Sequence, residues 1–266
     1  MEYLQAFILG IVQGITEFLP ISSTAHLLVF TKILGWEQVG EKTFVDAIQL
    51  GSVFAVVLYF WLDIRHIVMG ALTAYREKDW QKEEWKQIVG IAIGACPALI
   101  VGYLFKDVLP KSILVIAIAS IVMALILGAA EKFGSRKRGF DSLQIQDGLL
   151  IGLGQTLALV PGVSRSGSTL TTALFLGLKR ATAARFSFLL GIPTLTVATV
   201  YESYKVLKDL KSFGPLVVGI VSSFIFSYLA IAFLMRFLKT QSTWVFVFYR
   251  LLFGSALLLW VAFGKV

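Results

Sequence analysis

Apolar residues run along this chain in long stretches that are almost free of charge. Residues 88–105, 113–130 and 215–235 contain no charged side chain, and residues 44–61, 186–203 and 244–263 carry one each: Asp46, Glu202 and Arg250. A helix needs about 20 apolar residues, about 17 at the least, to cross a hydrocarbon core of about 30 Å. The pattern therefore predicts six transmembrane helices.

Two further apolar regions break in the middle. Residues 4–31 are interrupted from Glu17 through Pro20 and Ser22-Ser23-Thr24 to His26, and residues 148–178 are interrupted from Pro161 through Ser164-Arg165-Ser166 to Thr169. Each half is about 13 residues, or about 20 Å of helix, too short to span. Both regions read as re-entrant helical hairpins with tips at membrane depth, which non-helical backbone tolerates only where it is buried in protein or lines a wet cavity.

Composition agrees with the pattern. The 266 residues are 57% hydrophobic and 15% charged, with a mean hydropathy of +0.81. Soluble domains carry about 25% charged residues. An ordinary soluble enzyme, a disordered tail and a nucleic-acid binder are excluded, leaving a single all-α polytopic domain in a lipid bilayer. The net charge of +8 needs no nucleic-acid partner, because loops between membrane helices favour Lys and Arg. Segments 62–87, 131–147, 178–185 and 236–243 hold 14 of the 24 Lys and Arg, the loops between them and the termini hold 8, and Arg165 and Arg250 lie within the membrane. The positive-inside rule then makes the first set cytoplasmic and leaves both termini outside. Cys96, the single cysteine, reads as a buried small hydrophobe. Trp80 and Trp85 among charges read as an interfacial amphipathic loop, and His66 as a surface residue.

The broken regions also resemble each other. Gln13 and Pro20 bracket a short apolar stretch in the first, as do Gln155 and Pro161 in the second, and Leu50-Gly51 downstream matches Leu190-Gly191. One hairpin plus three crossings per copy is an odd number of passes, so the second copy is expected to be inverted. The copies cover about 1–105 and about 148–235, with helices 113–130 and 244–263 completing the bundle. Inverted repeats with discontinuous helices put their binding site at mid-membrane, where the two tips meet.

Ionisable groups within the bilayer are functional candidates by default, which singles out Glu17, His26 and Arg165. Gln13 and Glu17 are four residues apart and share one helix face, and Ser23 and His26, three apart, share another. A serine nucleophile needs a base for its proton, and an imidazole one turn away supplies one. Pro20 with Ser22-Ser23-Thr24 suits a helix N-terminus that favours an anion. Residues 161–169 repeat that device and add Arg165, suited to bidentate phosphate contacts. A structural Glu17–Arg165 pair is the bland alternative. Together the tips describe a pocket for a phosphorylated group reached from within a membrane.

The two motifs resemble those of the undecaprenyl-diphosphate phosphatase, or bacitracin-resistance, family. Its (Glu/Gln)-x-x-x-Glu motif is matched by Gln13 to Glu17, running on to His26, and its Pro-Gly-x-Ser-Arg-Ser-x-x-Thr motif by Pro161 to Thr169. The resemblance implies a bacterial inner-membrane enzyme that hydrolyses the C55 diphosphate lipid carrier on the outer face and confers bacitracin resistance. It further implies that Ser23 is the nucleophile or a phosphate-positioning hydroxyl, with His26 as its base and later the leaving-group acid. Arg165 would clamp the phosphates, helped by Ser164, Ser166 and Thr169 as well as Ser22 and Thr24. Glu17, with Gln13, would orient Arg165 or hold a divalent cation, Mg²⁺ or Ca²⁺. A homodimer is compatible with this reading. The rival is a transporter or flippase for a phosphorylated lipid or small anion, which has no need of a serine beside a histidine.

Overall fold

In a bilayer every backbone polar group needs an internal partner, and for an apolar chain this means helix. The computed structural model describes residues 2–36, 42–105, 112–208 and 213–264. Among these residues are eleven α-helices: α1 (Glu2–Phe18), α2 (Ser23–Ile33), α3 (Lys42–Tyr59), α4 (Trp61–Glu77), α5 (Glu83–Phe105), α6 (Ile113–Phe133), α7 (Ile145–Thr156), α8 (Arg165–Phe175), α9 (Arg180–Lys208), α10 (Phe213–Phe237) and α11 (Trp244–Ala262). Five of them, α5, α6, α9, α10 and α11, are long and apolar enough to cross a membrane. The sixth expected crossing is a bent pair in which α4 leaves α3 at 62°. The chain is an all-α polytopic membrane protein.

Both broken regions form helix pairs: α1 with α2, and α7 with α8. The arms α2, α7 and α8 have 11, 12 and 11 residues, while α1 has 17 and begins earlier than the apolar pattern indicates. The first arms pack on long helices of the other half of the chain, α1 along α10 and α7 along α5. Glycines permit this approach. A Cβ on Gly10 or Gly14 would meet α10 backbone, and one on Gly148 or Gly152 would meet the backbone of Gly90 or Gly94 on α5. Two side-chain contacts fall at matching positions in the two halves, with donor and acceptor exchanged. Gln13 Nε2 donates to Ser52 Oγ at 3.4 Å, and Thr194 Oγ1 donates to Gln155 Oε1 at 3.2 Å, each pair 39 residues apart and offset by 142.

The four segments counted as cytoplasmic gather at one end. Glu131 at the end of α6 accepts from Arg180 and, at 2.8 Å, from Thr243 Oγ1. Arg185 pairs with Asp63, and Gln87 Nε2 donates to the Phe140 carbonyl at 3.2 Å. Arg138 binds Asp147 at 2.6 Å, and this hydrogen bonding raises the guanidinium above its ordinary value. The opposite segments 37–41, 106–111, 209–212 and 265–266, as well as the Glu202 side chain, lie outside the described residues.

Two expectations change and one holds. Segment 62–87 was read as a loop, but most of it forms α4, whose end carries Tyr75 against Trp80 and Trp85. His66 is exposed as expected, 3.3 Å from Glu84. Cys96 is exposed rather than buried, its thiol donating to the Ala92 carbonyl at 3.3 Å. Lipid is as apolar as a protein core, so an apolar residue on α5 gains nothing by turning inward.

Candidate active site

The two hairpin breaks share one local design. Ser22 and Ser164 cap α2 and α8, and both hold positive φ, 77° and 73°. This conformation costs a non-glycine residue about 1–3 kcal/mol and persists only when its surroundings enforce it. At Ser164 the side-chain oxygen accepts from Gly167 N at 3.2 Å. At Ser22 the carbonyl is held by His26 Nδ1 at 2.7 Å. The first helical residues, Ser23 and Arg165, then stand at two helix N-termini, where unpaired N–H groups and the positive dipole end favour an anion.

Both side chains end on Glu17. Ser23 Oγ donates to Oε2 at 2.7 Å, and Arg165 Nη2 donates to Oε1 at 3.0 Å. Gln13 Nε2 adds a third donor, 3.0 Å from Oε2. The carboxylate is only 6% exposed, so these partners supply what water would otherwise give. Arg165 is further fixed by the Gly191 carbonyl, which accepts from Nη1 at 2.9 Å.

Glu17, Ser23 and Arg165 border a cavity of about 500 Å³. One wall is polar, with Glu17, Ser22, Ser23 and Thr24 from the first tip and Ser164 and Arg165 from the second. Much of the remaining lining is apolar and comes from α5 and α9, including Ala98, Leu99, Leu195 and Val197. Such a cavity suits an amphiphile with an anionic head.

Four residues named from the sequence do not line it. Gln13 is turned to Glu17 and Ser52. Ser166 Oγ donates to the Leu19 carbonyl at 3.0 Å, tying one tip to the other, and Thr169 Oγ1 donates to the Arg165 carbonyl at 2.9 Å within its own helix. His26 is the larger correction. Its Nε2 meets the Tyr249 hydroxyl at 2.5 Å, and its ring stacks on Phe253 with centroids 4.4 Å apart. Because a carbonyl only accepts, Nδ1 carries the proton toward Ser22, and in the neutral ring Nε2 accepts from Tyr249. Both ring nitrogens are thus used away from Ser23. The i, i+3 spacing places two residues on one face, but the Ser23 hydroxyl turns across the break to a carboxylate, the stronger acceptor.

Arg250 holds the tips together. Nη1 donates to the carbonyls of Pro20 at 3.0 Å and Val163 at 2.9 Å, Nη2 to that of Gly162 at 2.8 Å, and Nε to that of Ser120 at 3.3 Å. Gln49 and Gln155, which carried no site assignment in the sequence, both line the cavity. The only earlier signal for Gln155 was its place opposite Gln13 in the repeat.

The sequence model of the family described as "Bacitracin resistance protein BacA" matches residues 6–256. The chain belongs to this family. A protein named undecaprenyl-diphosphatase from Thermosynechococcus vestitus is 55% identical, over 99% of this chain and 97% of its own length. Proteins of the same name from Trichormus variabilis and Synechococcus elongatus are 54% and 50% identical, over 97% and 100% of this chain and 83% and 96% of their own lengths.

The resemblance of this BacA-family chain implied a divalent cation, and the residues do not form a cage for one. Among the described residues no three His, Cys, Asp or Glu side chains cluster. The one carboxylate at the site already accepts from Ser23, Arg165 and Gln13. Mg²⁺ is commonly held by one or two carboxylates and substrate phosphates. This donor set fits a cation that arrives with a diphosphate better than a resident one.

Proposed function

We propose that this chain is an undecaprenyl-diphosphate phosphatase, releasing inorganic phosphate from the C55 isoprenoid diphosphate and leaving undecaprenyl phosphate for another round of envelope synthesis. The observation that carries this reading is the 2.7 Å contact between Ser23 Oγ and Glu17 Oε2, beside Arg165 in a cavity with an apolar wall. Relatives named undecaprenyl-diphosphatase supply the substrate.

In this mechanism Arg165 and the N-termini of α2 and α8 bind the diphosphate. Glu17 takes the proton from Ser23 Oγ as that oxygen attacks the terminal phosphorus. The bond to the bridging oxygen breaks, and undecaprenyl phosphate departs. A phosphate monoester has a second pKa of about 6 and leaves as an anion without needing a proton, so no leaving-group acid is required of His26. Water then hydrolyses the phosphoserine, with Glu17 returning its proton. A divalent cation, Mg²⁺ or Ca²⁺, would be held by the phosphates of the substrate rather than by a protein cage and would offset their charge.

The same reading places the protein in the bacterial inner membrane with its cavity open to the outer face, so that abundant enzyme would oppose bacitracin. It also treats the hairpin-led halves as inverted copies. The matched pairs Gln13–Ser52 and Gln155–Thr194, and the matched caps Ser22 and Ser164, support that view.

The test is phosphate release from undecaprenyl diphosphate by purified protein in detergent with Mg²⁺ or Ca²⁺. Wild type releases phosphate, and Arg165→Ala loses at least about a hundredfold in kcat/KM, as expected for removing a charge that stabilises the transition state. A wild type that releases none, yet moves the lipid between leaflets of liposomes, would establish the transporter reading instead.

A further inference from the structure

We propose that Gln155 is a substrate-binding residue whose side-chain Nε2 donates a hydrogen bond to a phosphate oxygen of the bound diphosphate. Gln155 lies in the last turn of α7, is 2% exposed and lines the cavity. Its Oε1 accepts from Thr194 Oγ1 at 3.2 Å, whereas its Nε2 has no hydrogen-bond partner. Leaving a buried donor unpaired costs about 1–3 kcal/mol, and each such case in a native protein calls for a reason. Gln87 Oε1 and Ser187 Oγ are also unpartnered, but neither residue lines the cavity.

The repeat shows what is missing. Gln13, 142 residues earlier, meets Ser52 at the position where Gln155 meets Thr194, but through its Nε2 rather than its Oε1. Its Nε2 is satisfied one helical turn on by the Glu17 carboxylate at 3.0 Å. One turn on from Gln155 stands Leu159, which offers no side-chain acceptor. The first tip therefore carries its own anionic oxygen, and the second leaves that place open toward the cavity. Arg165 and two helix N-termini border the same space, and their field favours an anionic oxygen over a neutral one. A phosphate oxygen there would do for Gln155 what Glu17 does for Gln13.

The proposal rests on the phosphatase reading for its ligand, and the test separates the two. Full-length protein in detergent is compared as wild type, Gln155→Leu and Gln155→Glu. Losing a hydrogen bond to a charged acceptor raises KM for undecaprenyl diphosphate about 10- to 100-fold in Gln155→Leu, with kcat within about threefold. Gln155→Glu keeps an acceptor for Thr194 but places a carboxylate where the donor stood, so its KM rises further. A residue that only supports Thr194 would leave Gln155→Glu within about threefold of wild type, and that result overturns the proposal. Product inhibition identifies the phosphate: a raised Ki for inorganic phosphate marks the terminal group, a raised Ki for undecaprenyl phosphate marks the lipid-side group, and no change in either overturns the contact. If wild type releases no phosphate, the phosphatase reading fails on its own. The subsite is then read from inorganic diphosphate alone, by its protection against thermal unfolding. Protection of wild type that weakens at least tenfold in Gln155→Leu supports the subsite. Equal protection in all three proteins, or none in wild type, overturns it.

Discussion

Glu17 gathers three donors from three positions along the chain: Gln13 one turn behind it, Ser23 across the first break and Arg165 from the second tip. Removing its charge while keeping its shape separates its chemical role from its structural one. Glu17→Gln is expected to lower kcat about 10²- to 10⁴-fold, the range for a lost general base, and Ser23→Ala to fall at least as far, both read by phosphate release. Because Ser23 and Glu17 act as a unit, the double variant should be little worse than either single one. His26→Gln tests the other assignment. With both ring nitrogens turned to Ser22 and Tyr249, the histidine acts by holding a strained cap, so the variant should keep the wild-type pH profile and exceed Ser23→Ala in activity by about tenfold or more. A profile that lost a limb near the ordinary histidine value of about 6.5 would restore His26 as the base. The residue types at this site were legible in the sequence, because an intramembrane carboxylate and arginine are too costly to be incidental. The Glu17–Arg165 pair was also within reach of the sequence, but the partner of Ser23 was not. Spacing alone linked Ser23 to His26, and only the positive-φ turn at Ser22 shows the hydroxyl carried to Glu17.

The helices themselves could be read from apolar runs, since an unbroken run of this length satisfies its own backbone in lipid only as a helix, whereas barrel strands alternate. What a run cannot show is which helix lies against which. Contact between α7 and α5 depends on glycines 58 residues apart in the sequence, Gly90 with Gly148. Their requirements are unequal. A Cβ on Gly148 would overlap the Gly90 carbonyl, and backbone cannot yield as a side chain tip can. A Cβ on Gly90 would sit 3.6 Å from Gly148 Cα, an ordinary contact. Gly148→Ala should therefore cost about 1–3 kcal/mol and lower the Tm in detergent by several degrees. Gly90→Ala should match or exceed wild type, gaining up to about 1 kcal/mol of helix propensity. Equal losses at both positions would mean that α5 and α7 pack differently. The bend between α3 and α4 was also hidden, because the charged segment that follows Trp61 reads as a loop by composition yet retains helical hydrogen bonding to Glu77.

At the scale of the whole molecule, charge and contacts sort the segments between helices into the same two sets. The charge comparison groups segments 62–87, 131–147, 178–185 and 236–243 before any contact is known, and their hydrogen bonds then join them at one end through Asp63–Arg185, Gln87–Phe140, Glu131–Arg180 and Glu131–Thr243. The single residue Glu131 links three of the connections between helices, so this end is a fixed plate. Its 14 Lys and Arg, against 8 in the opposite segments and termini, favour the cytoplasmic leaflet. The sense of insertion decides whether the diphosphate is hydrolysed where it is left after polymer transfer, outside the cell. Because Cys96 is the only cysteine, a Cys96→Ala background allows single-site labelling. Asp79→Cys lies in the turn between α4 and α5, at the basic end, and Ser112→Cys caps α6 at the other. In intact cells a membrane-impermeant thiol reagent should label Ser112→Cys and leave Asp79→Cys unlabelled until the membrane is permeabilised. The reverse pattern would invert the molecule. The tips would still meet at the same cavity, but an enzyme opening to the cytoplasm would act on carrier diphosphate made inside rather than on carrier returned from the outer face.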